Sequence, residues 1–272
     1  SLVGSEMCIR DSYYLDAVTR ADVFAWRDRQ PDRPISVNGR LRVMRTLFHD
    51  ASAEHGFPDP TLRVPTLREV RGEDEHKVLP PEELARLLVS LRVVAPQWYP
   101  IVSTLAWTAM RFGEASALKW DDIDYEREMI HVRRAHWQGH VGTTKTGSIR
   151  SVPLTKNLAD ILREHRQDLV RQQAPGLRDG WVFPSSNGKL ATPSVLHKPL
   201  KKACEHAGLR SRPSAHWFRH TLNDLLRRST TGQIQRAITG HVTEQMAEHY
   251  SNVTMDEKQN AVARVLQLVA ST

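Results

Sequence analysis

The residues best suited to chemistry lie near the end of the 272-residue chain, between Ser214 and Val253. His216, Arg219 and His220 stand at i, i+3 and i+4, a spacing that puts them on one face of a predicted helix. Gly240–His241 follows, and Tyr250 comes nine residues after His241. Upstream, Arg111 and Lys145 complete a set of cations with one phenol. The guanidinium forks of Arg111 and Arg219 match phosphate oxygens bidentately. Displacement at a phosphodiester builds charge on the non-bridging oxygens, so fixed cations there stabilise the transition state more than the ground state. Tyr250 offers a phenol that can form a covalent phosphoester and split one transfer into two. Lys145, on a turn flanked by Gly142 and Gly147, is an ammonium able to protonate a leaving oxygen.

The same histidines invite a metal reading. His216 and His220 could grip a zinc ion, with Cys204, His206 or His241 completing the set. Arg219 on the same face, with Arg210 and Arg212 nearby, opposes a dication, and no Cys-x-x-Cys or His-Glu-x-x-His occurs. We therefore expect no metal and no other cofactor. Taken singly, Tyr250 reads as a half-buried packing residue and Arg111 as a helix-surface ion pair with Glu114; only their combination points to phosphate.

Composition agrees. The formal net charge is +7, and 40% of residues are hydrophobic and 25% charged, as in a globular protein with a polyanionic partner. The excess is local: from His197 to Arg228 there are eight Lys and Arg against Glu205 and Asp224. Cys8 and Cys204 are the only cysteines, too few for a disulfide framework and compatible with a reducing cytoplasm. No apolar run approaches the ~20 residues of a membrane span. Residues 1–12 (SLVGSEMCIRDS) lack a signal peptide's apolar region and look like translated adapter, so we read them as a non-native segment on a truncated N-terminus.

The positioning elements can be read from periodicity. A helix is predicted over Thr19–Gln30, with Thr19 as N-cap, and a second over Ser36–His55, bounded by Pro31–Pro34 and Gly56. The second buries Leu41, Met44, Leu47 and Phe48 and turns Arg40, Arg42 and Arg45 elsewhere, either to solvent or to a phosphate backbone. Thr61–Lys77 reads as a linker. Helices are predicted from Pro81, with Leu84, Leu87, Leu88 and Leu91 buried, over Trp98–Met110 and over Gly113–Leu118. Met129–Val132 and Ser151–Leu154 read as strands of a small antiparallel sheet, with Gly139, Gly142 and residues 143–147 in turns. Helical spacing returns at Leu158–Leu169; Trp181–Phe183 is extended, and Thr192–Pro193 starts a helix that Pro199 is expected to interrupt. The fold class is mainly α with a small antiparallel sheet.

With these motifs in order, the chain resembles the tyrosine recombinases of the phage-integrase family. The first arginine motif stands as Thr108-Ala109-Met110-Arg111-Phe112-Gly113-Glu114 and the hairpin lysine motif as Thr144-Lys145-Thr146-Gly147, leading to Arg150-Ser151-Val152-Pro153-Leu154. His216-Trp217-Phe218-Arg219-His220, Gly240-His241 and Tyr250 complete the set. The match covers about Leu79 to Val253, and residues 19–60 resemble part of a helical core-binding domain. The implied layout is 13–64 as a partial core-binding (SAM-like) domain whose first helix is missing, 65–78 as linker, and 79–272 as catalytic domain.

The resemblance implies the roles. Tyr250 would be the nucleophile, giving a 3′-phosphotyrosine and a free 5′-hydroxyl; Arg111 and Arg219 would clamp the scissile phosphate; Lys145 would protonate the 5′ oxygen. His216 would orient or activate the nucleophile, His241 would hydrogen-bond a phosphate oxygen, Glu114 would support Arg111, and His220 would pack. Arg40, Arg42, Arg45, Lys201, Lys202 and Arg212 are further DNA-contact candidates. The family departs here at Ala109, Thr239 and Asn252, where glycine, leucine and histidine are common, none of them a loss of a catalytic group. The implied activity is site-specific strand exchange on double-stranded DNA, with no membrane role. The implied assembly is a tetramer on paired sites and a monomer or weak oligomer without DNA, in a bacterial or phage-encoded cytoplasmic, nucleoid-associated setting. An inactive DNA-binding relative and a type IB topoisomerase are the alternatives. Val262, Val265, Leu266 and Val269 form an apolar stripe on a terminal helix, which would pack on its own domain or, as the family implies, on a neighbouring protomer.

Overall fold

In the computed structural model, which describes residues 14–68, 78–144, 147, 149–240 and 255–270, Thr19 opens the first helix as its sequence predicts. The Thr19 hydroxyl accepts from the Asp22 N–H at 3.3 Å, and the Asp22 carboxylate accepts from the Thr19 N–H at 2.9 Å, a reciprocal capping box. This helix, α1 (Arg20–Asp28), stops two residues short of the predicted Gln30. Pro34, read as a breaker, is instead the first residue of α2 (Pro34–His55), where its missing N–H would have no partner anyway. Gly56, with φ 76°, closes α2 in the left-handed conformation.

The chain divides into two compact units, Ser1–Asp74 and Glu75–Thr272. The core of the first is small: Val23, Leu41 and Val64 are buried, with Phe24, Trp26 and Met44 against them. Leu47, predicted to be buried, is 54% exposed. Leu47 is not among the α2 side chains, Leu41 and Met44, that join this small core. The predicted linker also starts later than its composition implied. The Asn38 side chain donates to the Leu67 carbonyl at 2.9 Å and accepts from the Leu67 N–H at 2.8 Å, and Arg27 donates to the Pro65 carbonyl at 2.8 Å. These bonds hold residues 61–68 on the first unit.

The second unit begins with α3 (Pro81–Val94), which carries Pro at its start, Glu82 and Glu83 in the first turn and the predicted leucine stripe inward. The helix predicted over Trp98–Met110 is a 3-10 turn (Pro96–Trp98) followed by α4 (Tyr99–Thr108). It ends early because Ala109 adopts φ 52°, an elbow that launches the short α5 (Phe112–Ser116). Then come β1 (Ile123–Asp124) and β2 (Met129–Val132), followed by a hairpin of β3 (Arg134–Trp137) and β4 (His140–Thr143). After the hairpin, β5 (Arg150–Pro153) pairs with β2, placing His131 opposite Ser151, so the antiparallel order is β1-β2-β5.

The β3–β4 hairpin is a separate two-stranded sheet. Gln138 and Gly139 form its turn with φ 46° and 86°, a pattern that suits a tight hairpin. Gly142, predicted in a turn, lies in β4 opposite Ala135. Gly113 explains how the hairpin approaches α5: a Cβ there would lie 2.5 Å from the His136 carbonyl oxygen.

Helix α6 (Lys156–Arg171) is capped by Thr155, and α7 (His197–His206) follows a 3-10 turn at Pro193–Leu196. Pro199 does not interrupt α7, because it falls in the first turn, where no intrahelical donor is lost. The unit closes with α8 (Ala215–Ser229), α9 (Gly232–Thr239) and α10 (Met255–Ala270). One core joins α3, α4, α6, α7 and the sheet; a second joins Ala109, Leu222, Leu225, Leu226, Ile238, Ala261, Val262 and Val265. Val262, Val265 and Val269 are all buried. The terminal stripe thus packs on its own unit, against α8 and α9 among others.

Candidate functional site

Glu114 is the centre of the site. It sits at the third position of α5, where its carboxylate accepts from the Arg111 N–H at 2.8 Å and from the Arg111 guanidinium at 2.9 Å. Arg150, the first residue of β5, donates to both oxygens at 3.1 and 2.6 Å. A carboxylate has about four acceptor positions, and these four bonds use them. The Glu114 side chain is 1% exposed. Burial raises its pKa, but the Arg150 hydrogen bonds and charge, with those of Arg111, outweigh burial and hold the group at about 2.

Arg219 enters from α8. It is 1% exposed and donates to the carbonyl of Ala109 at 2.5 Å, which ties α8 to the elbow that carries Arg111. Burial and the neighbouring Arg111 and Arg150 charges push its pKa down to about 9, with Glu114 opposing. The group still carries its charge at neutral pH. Two guanidiniums thus bind one carboxylate and the Arg219 guanidinium adds its charge to theirs, an arrangement with surplus positive charge and fork geometry suited to a tetrahedral oxyanion.

The three α8 residues grouped by spacing do not share an environment. Arg219 turns into the core, beside Phe218 and Leu222, while His216 and His220 are exposed with their rings 4.5 Å apart, edge to face. The His220 ring packs on the His216 imidazole at the exposed side of α8. Lys145, His241 and Tyr250 lie outside the described residues, although Thr144 and Gly240 beside them are described. Gly240 is left-handed with φ 66°, and a Cβ there would come within 3.0 Å of the Arg150 side chain. Lys258 of α10 reaches the Ser151 carbonyl at 3.3 Å; burial and the Arg150 charge lower its pKa.

The other basic candidates are on the surface. Arg40 pairs with Asp32, Arg45 donates to the Val64 carbonyl, and Arg42 is exposed. On α7, Lys201 is 3.8 Å from Glu205 and Lys202 reaches the Val94 carbonyl at 3.4 Å; Arg212 is exposed. Cys204 and His206 do not join a metal set: Cys204 is buried, with its thiol pushed up to about 11, and His206 meets Ser90 at 2.9 Å. Among the described residues no three His, Cys, Asp or Glu side chains gather for a metal ion.

Arg150 is the member that sequence reasoning missed. Its partner is 36 positions away, and nothing local marks it. The available signal was a permanent charge two residues before the apolar run Val152-Pro153-Leu154, since a buried arginine demands a carboxylate.

The model of the phage integrase family matches residues 77–257, which include every residue of this cluster. The chain belongs to that family. A tyrosine recombinase XerC-like protein of Caldanaerobacter subterraneus subsp. tengcongensis is 31% identical over 178 residues, covering 57% of this chain and 45% of that protein. The chain spans about half the length, or less, of the curated relatives it matches first. The fold is that of a Tn1549 transposon integrase solved with a circular intermediate DNA (TM-score 0.71, 20% identity, 92% of this chain and 86% of that one). A lambda integrase tetramer solved on a Holliday junction gives TM-score 0.64 at 16% identity, over 87% of this chain and 65% of that one. Among the described residues no helix is long and apolar enough to cross a membrane.

Proposed function

We propose that this integrase-family chain is a site-specific DNA recombinase that cleaves and rejoins strands by transesterification through a 3′-phosphotyrosine at Tyr250. One observation carries the reading: the Arg111 and Arg150 guanidiniums both bind the buried Glu114 carboxylate, and Arg219 of α8, bound to the Ala109 carbonyl two residues before Arg111, adds a third positive charge. Such surplus charge, largely withdrawn from water, favours an anion whose charge grows during reaction. Arg111 and Arg219 clamp the scissile phosphate, and Lys145 protonates the leaving 5′ oxygen. His216 orients the nucleophile and His241 holds a non-bridging oxygen. Phosphodiester energy is kept in the tyrosyl ester, so the reaction draws on no metal or nucleotide. The small first unit, with Arg42 among its exposed cations, and the basic α7–α8 surface with Lys201, Lys202 and Arg212 contact the duplex backbone. Exchange between two duplexes takes four active sites, and thus a tetramer on paired sites, at the nucleoid in the cytoplasm of a bacterium, whether the gene is bacterial or phage-borne.

The test works on a target of any sequence. The protein is incubated with duplexes carrying a randomised core and a nick, quenched in detergent, and the protein-linked strands are sequenced. Wild type should leave a covalent adduct whose peptide carries the nucleotide on Tyr250, and Tyr250→Phe none. An adduct formed by the Phe variant would sink the assignment. Binding without any adduct would leave an inactive DNA-binding relative, and relaxation of plasmids of any sequence a topoisomerase.

A further inference from the structure

Arg150 has no place in the reaction just described, yet it makes the strongest contacts in the site. It takes both oxygens of Glu114, whereas the Arg111 side chain takes one. Its side chain is 10% exposed and that of Arg111 29%, so of the two arginines on Glu114 it is Arg111 that lies more open to an incoming phosphate. Its stem also fills the space beneath Gly240, the residue before His241: Cδ and Nε both lie 3.0 Å from where a Cβ would stand. One side chain therefore touches the carboxylate that holds Arg111 and the backbone that leads to His241 and Tyr250. It does so from the strand that follows the lysine hairpin.

We propose that Arg150 is a positioning residue for strand cleavage, holding the Arg111 fork and the Gly240 turn in register through Glu114 and through its own stem. The proposal rests on the recombinase reading above. Its physical content is competition for one carboxylate. With Arg150 present, Glu114 is saturated and Arg111 keeps the rest of its fork for substrate. Without it, a buried carboxylate has only Arg111 to pair with; it draws that guanidinium into a closer pair and cancels charge meant for the phosphate. The turn before His241 loses its floor at the same time.

The test uses the full chain and a duplex recovered from the randomised pool, with single-turnover cleavage at saturating protein measured separately from half-site affinity. If wild type yields no adduct, the recombinase reading itself falls, before any variant is compared. Given cleavage, Arg150→Gln should lose about 10²-fold in rate while affinity and its salt slope stay within about threefold of wild type. Arg150→Lys should recover only part, because an ammonium cannot donate two parallel N–H bonds to one carboxylate. Glu114→Gln combined with Arg150→Gln should cleave no more slowly than Arg150→Gln alone, since it removes the stranded charge. Gly240→Ala should cost several-fold more rate in wild type than in an Arg150→Ala background, although the left-handed strain is common to both.

Four results would overturn the proposal. They are wild-type cleavage by Arg150→Gln, losses at Glu114 and Arg150 that multiply, an equal cost of Gly240→Ala in both backgrounds, and a loss of affinity with a salt slope lowered by about 1, which marks a direct phosphate contact. Should Arg150→Gln fail to fold, Arg150→Lys carries the comparison, and wild-type cleavage by that variant would overturn the proposal equally.

Discussion

Arginine is used in two opposite ways in this chain, on the surface of the first unit and in the site of the second. In the first, Arg40 and Arg45 are partly exposed, one paired with Asp32 and the other with a carbonyl, and Arg42 is open to water. In the second, Arg219 is 1% exposed and the Arg150 side chain 10%. The first kind is screened, rotamer-rich and weakly held, so it gives non-specific attraction that salt erases. The second kind is fixed by burial and hydrogen bonds, with its positive charge crowded by like neighbours. Only the second kind can favour a transition state over a ground state, because only there is no reorganisation left to do.

The comparison can be broken at its strong end first. Arg219→Ala should lower cleavage by about 10²-fold or more, roughly 3 kcal/mol, with affinity changed far less. Arg219→Lys, which restores charge without the fork, should recover little; full recovery would show that charge alone suffices and that the buried and exposed arginines differ only in degree.

Next is the carboxylate. Glu114 has a pKa of about 2 in the fold against 4.5 for an ordinary glutamate. A depressed value means that its stabilisation is complete above about pH 4.5 and is lost as pH falls toward 2. The amount is about 3 kcal/mol. Thermal melts across that window should show a steep acid decline that Glu114→Gln flattens, and no flattening would mean that other carboxylates set the acid limit.

A smaller effect sharpens the contrast. Inorganic phosphate at ten times its dissociation constant should stabilise the second unit by about 1.4 kcal/mol, a rise of roughly 3–5 °C in Tm. Calorimetry should find that rise abolished by Arg219→Lys and untouched by Arg42→Ala. The smallest effect is at Arg42 itself. Arg42→Ala should change stability by less than about 0.5 kcal/mol and lower the salt slope of DNA binding by about 1, read from a salt titration.

Much of this was legible because the deciding signals are local. Thr19 and Asp22 announce a helix start within four residues, and the leucines of α3 repeat at its own period. The errors share one cause, which is that tertiary context overrode a local rule. Pro34 and Pro199 look like breakers until their places in first turns are known. Leu47 looks buried until its unit proves too small to cover it. The β3–β4 hairpin lacks an apolar alternation because its outer strand is wholly exposed. In the site, motif spacing named Arg111 and Arg219 but could not say that one reaches solvent and the other does not. Motif order named Arg150 only as a residue that follows the lysine motif, since its meaning depends on Glu114 across the fold.

The elbow at Ala109 bears on how this protein can change over generations. Its φ of 52° is one that glycine adopts freely and alanine resists at about 1 kcal/mol, yet alanine stands there, fully buried, with its carbonyl bound to Arg219. Glycine would remove the strain and also widen the range of directions in which the next turn can leave. Alanine makes the joint stiff at a small thermodynamic cost. A single codon step to glycine would therefore relieve the strain and loosen the aim of Arg111 together, so the two properties cannot drift apart at this position.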